Sequence, residues 1–457
     1  MQDSDIIIVG AGASGLMAAR ELSRAGKRVT ILEARDRIGG RIYPLSTDTG
    51  GFGYQAQAGA EFVHGKAPVT KSLAHEAGVT LLRTQGDVWS SRNGTININN
   101  SVIPNQGPLH DKLRKLEHDM PMAQFLNTYF YEEAYAPMRN EIKKMVEGYD
   151  AADLERISSF ALREEWLGGD EWLQYRVKEG YGALLDFLES ECKKYGVHII
   201  LNTRVHKIEA STGLVRVHSD DGSSYTTKHI IVTVPLPVLK NISFAPAISE
   251  KLDAAAKIGY GPAIKILLRF KDRWWVSAMG RLAATSKTNF RYIIKILRRI
   301  KHGQWKSIFT STFNETDFIL ANEAIDTWWT QYPAAHPVLT GWIAGPRAEQ
   351  LKDISDAGIV DRALESLSNI FKVNADILKK NLVTSKIANW PADPLAQGGY
   401  SYITPETKSA RQELSRPAHG VIWFAGEALY DGKETGTVEG AFATGISVAQ
   451  QILSIDA

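Results

Sequence analysis

Blocks of apolar and polar residues alternate through the first 33 positions of the chain. Residues 5–9 (DIIIV) form a short apolar run that predicts a buried strand, and a glycine-rich turn follows at residues 10–15. Helical periodicity then runs through residues 16–25, and residues 27–32 (KRVTIL) predict a second strand. This order predicts a βαβ unit with Glu33 at the end of its second strand.

Beyond this unit the hydrophobic pattern changes several times. Residues 67–171 are typical mainly of helices, and residues 198–228 of a meander of short strands. Residues 263–270 (AIKILLRF) predict a strand within a second layer of strands and helices, and residues 438–453 predict a last helix. The pattern indicates the α/β class, with a Rossmann-like layer and a second layer of strands and helices.

Composition argues against several classes of function. The chain has 457 residues, and 53 Lys plus Arg against 51 Asp plus Glu give a net charge of +2, which indicates no general affinity for nucleic acid or membrane. The single cysteine, Cys192, allows no intrachain disulfide, and the 11 histidines show no HxxxH pair, so no metal site is predicted. No apolar run reaches the length of about 18 residues that a membrane span needs. The first strand leaves no room for a leader, so a cytoplasmic location is expected.

The turn at residues 10–15 fits G-x-G-x-x-G, a pattern that binds dinucleotides. Gly10 allows the tight turn, Gly12 lets the backbone approach a pyrophosphate, and Gly15 lets the helix pack on the strand. Free N–H groups at the helix N-terminus favour phosphate. Glu33 is placed to accept hydrogen bonds from ribose hydroxyls.

The next residues distinguish between cofactors. Residues 33–41 (EARDRIGGR) add three arginines, which can bind a diphosphate through paired hydrogen bonds, and a glycine pair. This run resembles the flavin amine oxidase family: monoamine oxidases, polyamine oxidases, L-amino acid oxidases and related lysine demethylases. The resemblance implies FAD rather than NAD. Residues 59–65 (GAEFVHG) are similar to the loop against the flavin, and their histidine is most like that of polyamine oxidases, so His64 would face the substrate cavity. The alternative is a hydrogen-bonded loop histidine.

Further segments resemble those that surround the reactive flavin ring in the family. Lys265 in GPAIKILLRF is similar to the family lysine that is hydrogen-bonded through a water to flavin N5. The alternative is an edge-strand lysine that points to solvent. In the segment from Asn389 to Tyr400, the resemblance implies that Trp390 stacks near the flavin and that Tyr400 forms one wall of an aromatic cage for the amine. The second wall aligns with Thr437, which puts a narrow arylalkylamine preference in doubt.

The C-terminal segments complete the expected cofactor site. Residues 423–427 (WFAGE) and 437–441 (TVEGA) resemble the last cofactor contacts of the family, and a helix near Val438 would direct its positive end at the flavin. Covalent members carry cysteine near Gly399, so glycine there implies non-covalent FAD. The expected catalytic residues are Lys265, Tyr400, Trp390 and His64. The expected cofactor contacts are Gly10, Gly12, Ala13, Ser14, Gly15, Glu33, Ala34, Arg35, Gly40, Arg41, Gly59, Ala60, Glu61, Phe62, Val205, Val234, Trp390, Gly426, Glu427, Thr437 and Val438.

The resemblance also implies an α/β fold with a Rossmann-like FAD-binding domain of the two-dinucleotide-binding type and an interleaved α+β substrate domain. The FAD-binding domain is predicted to be discontinuous, with residues 1–66, 172–245 and 393–457. Residues 67–171 and 246–392 are predicted to form the substrate-binding domain.

Two charged segments allow several interpretations. Residues 280–311 look like extra length, and within them residues 289–302 predict a basic amphipathic helix. This helix could be a lid or packing helix, an oligomer contact or, less favoured, a peripheral membrane anchor. An acidic cluster could be a solvated face or the mouth of a tunnel for a cationic amine; its members are Glu164, Glu165, Asp170 and Glu171.

We interpret the protein as an FAD-dependent amine oxidase of primary amines or polyamines. Hydride transfer to flavin N5 would give the imine, which hydrolyses to an aldehyde and ammonia or a smaller amine, while O2 is reduced to H2O2. The expected partners are the amine and O2, without nucleic acid, and the chain is expected to be a monomer or homodimer. An L-amino acid oxidase is the alternative, which needs an arginine such as Arg83, Arg163 or Arg176 for the carboxylate. Two further alternatives are a carbon–carbon desaturase, against which Lys265 and the Trp390–Tyr400 pair argue, and a non-catalytic flavoprotein that serves as a binding or membrane-surface module.

Overall fold

The computed structural model describes residues 4–455 except 49, 93–94, 99–102, 169–172, 212 and 286–312. The basic segment predicted at 289–302 lies outside the described residues, so its three proposed roles stay predictions. Asp170 and Glu171 of the acidic cluster also lie outside them.

The described strands and helices alternate along the chain. The strands are β1 (Ile6–Val9), β2 (Val29–Leu32), β3 (Phe62–His64), β4 (Leu81–Arg83), β5 (Asp87–Arg92), β6 (Thr95–Ile98), β7 (Gln174–Val177), β8 (His198–Ile200), β9 (Val205–Ser211), β10 (Leu214–Ser219), β11 (Ser224–Thr227), β12 (His229–Val232), β13 (Ser243–Ala245), β14 (Gly259–Gly261), β15 (Ala263–Phe270), β16 (Thr316–Ala321), β17 (Thr327–Trp329), β18 (Val338–Ala344), β19 (Leu382–Asn389), β20 (Tyr400–Tyr402) and β21 (Ile422–Phe424). The α-helices are Ala13–Arg24, Pro68–Glu76, Gln106–Arg114, Met122–Tyr129, Ala136–Gly148, Ser159–Gly168, Gly182–Lys194, Leu236–Leu239, Ser249–Lys257, Trp274–Thr285, Pro346–Leu351, Asp356–Phe371, Ala375–Asn381, Thr407–Leu414 and Val438–Ile455.

A five-stranded parallel sheet forms the first layer, in the order β21-β12-β1-β2-β8. All four residues of β1 are buried, as expected for a parallel sheet that is covered on both faces. The first helix, Ala13–Arg24, packs against the last helix, Val438–Ile455, because Gly445 permits close approach: a Cβ there would lie 2.5 Å from the Ser14 carbonyl oxygen. The sheet confirms the predicted α/β class with a Rossmann-like layer.

A seven-stranded mixed sheet forms the second layer, in the order β19-β15-β18-β17-β16-β5-β6. Strand β15 has the predicted bounds and is paired on both sides, with β18 and with β19. Residues 67–171 are not as helical as predicted, because β4, β5 and β6 lie within them. The reason is tertiary: β5 is a short, mostly polar strand that buries Trp89 and pairs with β16, more than 200 positions later.

The predicted meander at residues 198–228 is divided between two sheets. Strand β8 joins the parallel sheet beside β2, whereas β9, β10 and β11 form an antiparallel meander to which β13 adds in parallel. Smaller sheets, β3-β7-β4 and β14-β20, combine segments from both predicted domains, so the domain boundaries stay a prediction. Within the described ranges, no helix has the length and apolar character needed to cross a membrane.

Candidate active site

A cavity of about 1750 Å³ opens at the carboxyl edge of the parallel sheet and extends toward the seven-stranded sheet. Ligands of α/β proteins bind in this position relative to the sheet, and the volume exceeds that of an ordinary small-molecule pocket. Every predicted site residue except Gly15 lines it. These are Gly10, Gly12, Ala13, Ser14, Glu33, Ala34, Arg35, Gly40, Arg41, Gly59, Ala60, Glu61, Phe62, His64, Val205, Val234, Lys265, Trp390, Tyr400, Gly426, Glu427, Thr437 and Val438.

The glycine turn shapes one end of this cavity. Gly10 has φ +107°, which favours glycine, and a Cβ on Gly15 would lie 2.0 Å from the Gly10 carbonyl oxygen. Gly15 therefore lets the helix pack on the turn, which explains why it does not line the cavity. A Cβ on Gly12 or on Gly426 would meet no described protein atom within 4 Å, so both backbones leave room for a close ligand.

Charged residues from the N-terminal and C-terminal parts of the chain line the cavity near the glycine turn. The buried carboxylate of Glu33 accepts from the Ala11 N–H at 2.7 Å and from the Arg35 N–H at 2.9 Å. The Arg41 guanidinium donates to Glu427 at 2.8 Å. Arg37 instead donates to three carbonyls of its own loop and does not line the cavity, so only two of the three arginines expected near a diphosphate face it. This acid, the glycine turn and the helix N-terminus fit the adenosine diphosphate half of FAD.

Lys265 lies at the opposite end of the cavity, in a buried cluster of charges. Its side chain is 2 % exposed, which excludes the alternative of a lysine that points to solvent. The ammonium donates to the Gly59 carbonyl at 3.0 Å and to Oε2 of Glu61 at 2.5 Å. Glu61 also accepts from Arg176 and, at 3.1 Å, from Nε1 of Trp329. The sequence predicted Glu61 as a cofactor contact but did not reveal this cluster, in which its carboxylate accepts from Lys265, Arg176 and Trp329.

The pKa values in this cluster show which groups stay charged. Burial acts to raise the pKa of Glu61, but the charges of Lys265 and Arg176 outweigh it and lower the pKa to about 2. Burial lowers the pKa of Lys265 from its ordinary value, and Glu61 opposes that shift. Asp317, 3.7 Å from Arg176, has its pKa raised to about 6, chiefly by burial.

Two parallel aromatic rings form a wall of the cavity. The rings of Tyr400 and Trp342 have centroids 6.3 Å apart and planes that differ by 8°. Both are anchored at the end of one helix, since Trp342 donates to the Gly148 carbonyl at 2.8 Å and Tyr400 to the Tyr149 carbonyl at 2.6 Å. The sequence analysis found Tyr400 but missed Trp342, whose only available signal was its position in β18, in register with Lys265.

His64 lines the cavity and has a neutral ring. Its Nδ1 is buried without a hydrogen-bond partner among the described residues, and the ring packs edge-on against Tyr149 at 6.0 Å. Burial lowers the pKa of His64 to about 4. The ring can therefore donate a hydrogen bond from one nitrogen and accept one at the other near pH 7, but it does not carry a positive charge there.

Asp150 and Glu165 form a carboxyl pair near Tyr400. Both line the cavity, and the pKa of Asp150 lies well above its usual range because of burial, the charge of Glu165 and a hydrogen bond to Glu165. The nearby carboxyl of Glu165 therefore favours the protonated form of Asp150. Of the acidic cluster singled out in the sequence, Glu164 and Glu165 line the cavity, while the role of Asp150 was missed.

Three arginines were candidates for binding a substrate carboxylate. Arg83 is exposed on β4, Arg163 donates to the Leu116 carbonyl, and Arg176 is paired with Glu61. None of the three lines the cavity. Within the described residues, no group of three or more His, Cys, Asp or Glu could hold a metal ion.

Comparisons with known proteins give consistent results. A family model described as "Flavin containing amine oxidoreductase" matches residues 13–453. Polyamine oxidase 4 of Oryza sativa subsp. japonica is 28% identical over 98% of this chain and 88% of its own length. Probable polyamine oxidase 4 of Arabidopsis thaliana is 29% identical over 97% of this chain and 86% of its own length. Among solved structures, wild-type putrescine oxidase bound to putrescine shares the fold, with a TM-score of 0.74, 17% identity and 99% of each chain covered.

Proposed function

The chain belongs to the flavin-containing amine oxidoreductase family, and from that premise we propose that this FAD-dependent amine oxidase acts on an aliphatic diamine or polyamine. When bound, FAD accepts a hydride from the carbon beside the amine nitrogen and passes electrons to O2, which becomes H2O2. The residues of this chain bind and orient the amine. The alternatives of an L-amino acid oxidase, a desaturase and a non-catalytic module are not supported.

The observation that carries the proposal is the Asp150–Glu165 pair. A monoamine gives these two carboxyls no cationic partner, whereas a diamine or polyamine brings a second ammonium that can pair with them. Burial and Glu165 raise the pKa of Asp150, whereas a bound ammonium would favour its ionised form and leave two carboxylates opposite the cation. Tyr400 and Trp342 would bracket the carbon chain, and the polyamine oxidases among the relatives agree with this substrate class.

Other expectations for the site stay proposals. Lys265 and Trp390 would contact the flavin region, and neutral His64 would exchange hydrogen bonds with the amine. FAD would be non-covalent, since Gly399 has no side chain that could form a bond to the flavin. A monomer or homodimer and a cytoplasmic location remain predictions from the sequence.

A matched pair of substrates tests the proposal. Peroxide release should be compared for 1,4-diaminobutane and n-butylamine, which have the same carbon chain and differ in the second amine. We expect kcat/KM to favour the diamine by about 30-fold, the equivalent of roughly 2 kcal/mol for one buried charge pair. Asp150→Asn should remove most of this preference by raising KM for the diamine alone.

Glu155→Gln is the control, because Glu155 is exposed on the same segment and does not line the cavity. It removes one negative charge and should keep the preference. Equal turnover of the two amines by the unaltered enzyme, or an equal loss for both in Asp150→Asn, would contradict the proposed substrate class.

A further inference from the structure

Glu61 is placed to control the charge of Lys265. We propose that Glu61 is a positioning residue that holds Lys265 as an ammonium ion at the cavity wall and thereby sets the pH range in which the reduced flavin is reoxidised. The proposal rests on the proposed role of Lys265 beside the flavin.

The contacts of Lys265 leave Glu61 as its single anionic partner among the described residues. Strand β15 lies inside the seven-stranded sheet, so the lysine side chain cannot turn to solvent. Its ammonium has two hydrogen-bond acceptors: the neutral Gly59 carbonyl and the Glu61 carboxylate. The ring of Trp329 lies 5.5 Å from the ammonium and adds a weaker attraction.

The other charged groups nearby do not replace Glu61. Arg176 is a cation and disfavours the charge on Lys265. Asp317 lies against Arg176 and forms no ion pair with Lys265. Tyr54 does not supply a negative charge, because burial and the charge of Glu61 raise the pKa of its hydroxyl. Glu61 is thus the group that compensates two buried cations at once, Lys265 and Arg176.

Removing this one negative charge has a defined consequence. In Glu61→Gln the amide keeps the shape of the carboxylate, but Lys265 then lies buried beside Arg176 without an anion. Both burial and the like charge favour loss of the lysine proton, so the pKa of Lys265 should fall by about one unit or more. Lys265 would become a neutral amine in a pH range where the unaltered enzyme has an ammonium.

The test uses the FAD-loaded enzyme over pH 6–10. Flavin is first reduced without oxygen by 1,4-diaminobutane or dithionite, and its reoxidation by O2 is then followed by stopped-flow absorbance. For Glu61→Gln we expect the pH at which reoxidation slows to move down by about one unit or more. Glu61→Asp keeps the charge on a shorter side chain, so its profile should move down by a smaller amount than that of Glu61→Gln.

A second readout does not depend on turnover. The visible absorbance of bound oxidised FAD should be titrated over the same pH range, because the charge of a neighbouring ammonium perturbs the flavin spectrum. An inflection that is absent in Lys265→Met reports Lys265, and it should move down in Glu61→Gln by the same amount as the kinetic profile. Asp317→Asn removes a carboxylate from the same cluster without touching Lys265, and its inflection should stay in place.

The outcomes distinguish failure of the proposed role of Lys265 from failure of the inference about Glu61. If Lys265→Met changes neither reoxidation nor the titration, the proposed role of Lys265 is wrong. If Lys265→Met abolishes the inflection but Glu61→Gln leaves it unmoved, Lys265 acts without Glu61 and this inference is overturned. If Glu61→Gln does not accumulate, Glu61→Asp decides: its longer ion pair should move the inflection in the same direction by a smaller amount, and an unmoved inflection overturns the inference.

Discussion

Gly12 is the residue at which a single methyl group should decide whether the cofactor fits. Its Cβ would project into the cavity without touching described protein atoms, so the substitution strains no protein contact. In Gly12→Ala the methyl would occupy the space of the ligand, and such overpacking costs about 1–3 kcal/mol. We expect the Kd for FAD to rise at least about tenfold with the fold retained, as measured by flavin fluorescence and circular dichroism.

A matched glycine in the helix Gln106–Arg114 serves as the control. A Cβ on Gly107 would also meet no atom within 4 Å, but Gly107 does not line the cavity. Gly107→Ala should keep FAD affinity and slightly stabilise the helix. Equal FAD affinity in Gly12→Ala and Gly107→Ala would show that the ligand does not approach the glycine turn.

At the scale of elements, a buried carboxylate joins two helices at the rim of the cavity. Glu439, in the first turn of the last helix, accepts from the N–H of Val69 at 2.9 Å, the N–H of Thr70 at 2.7 Å and the Thr70 hydroxyl at 2.7 Å. Val69 and Thr70 lie in the first turn of the helix Pro68–Glu76, where an anion is favourable and three donors need an acceptor.

Glu439→Ala should therefore destabilise the protein. It leaves three donors without their acceptor, two of them buried, and we expect the free energy of unfolding to fall by about 2–4 kcal/mol, measured by urea denaturation. Glu250→Ala is the control, because Glu250 is an exposed acid in the first turn of the helix Ser249–Lys257. It should change stability by less than about 0.5 kcal/mol. A loss of similar size in both variants would contradict the role of Glu439.

At the scale of the whole molecule, the cavity unites segments from the two ends and the middle of the chain. Residues 10–15, 33–41, 59–65 and 426–438 all contribute to its lining, together with Lys265 from β15. A ligand that bridges these segments binds the folded state only, so FAD should stabilise the entire fold rather than one part.

The expected size of this effect follows from mass action. At a free FAD concentration of about 100 times Kd, the free energy of unfolding should rise by about 2.7 kcal/mol, with a higher Tm in a single transition by calorimetry. In Gly12→Ala the same FAD concentration is only about 10 times the raised Kd, so the rise should fall to about 1.4 kcal/mol or less. A wild-type Tm that does not respond to FAD would mean that the cavity is not the cofactor site.

Local sequence patterns were enough to predict much of the fold and the motif residues that line the cavity. The apolar run of β1, the glycine turn and the first helix follow from short-range periodicity, as do β15 and the last helix, with boundaries that differ by a few residues. The motifs also placed Lys265 and Tyr400 at the cavity before any contact was visible.

The sequence by itself determined those strands, turns and helices in which burial and backbone preference repeat locally, every two or every 3.6 residues, but not β4, β5 and β6. Tertiary structure alone decided which distant residues meet. Glu61 meets Lys265 204 positions away, Trp342 faces Tyr400, and Asp150, just after the helix Ala136–Gly148, meets Glu165 of the helix Ser159–Gly168. The physical reason is that a buried charge needs a partner of opposite charge. The amino-acid sequence shows that a charged residue lies in an apolar segment, but it does not show which distant residue supplies the opposite charge.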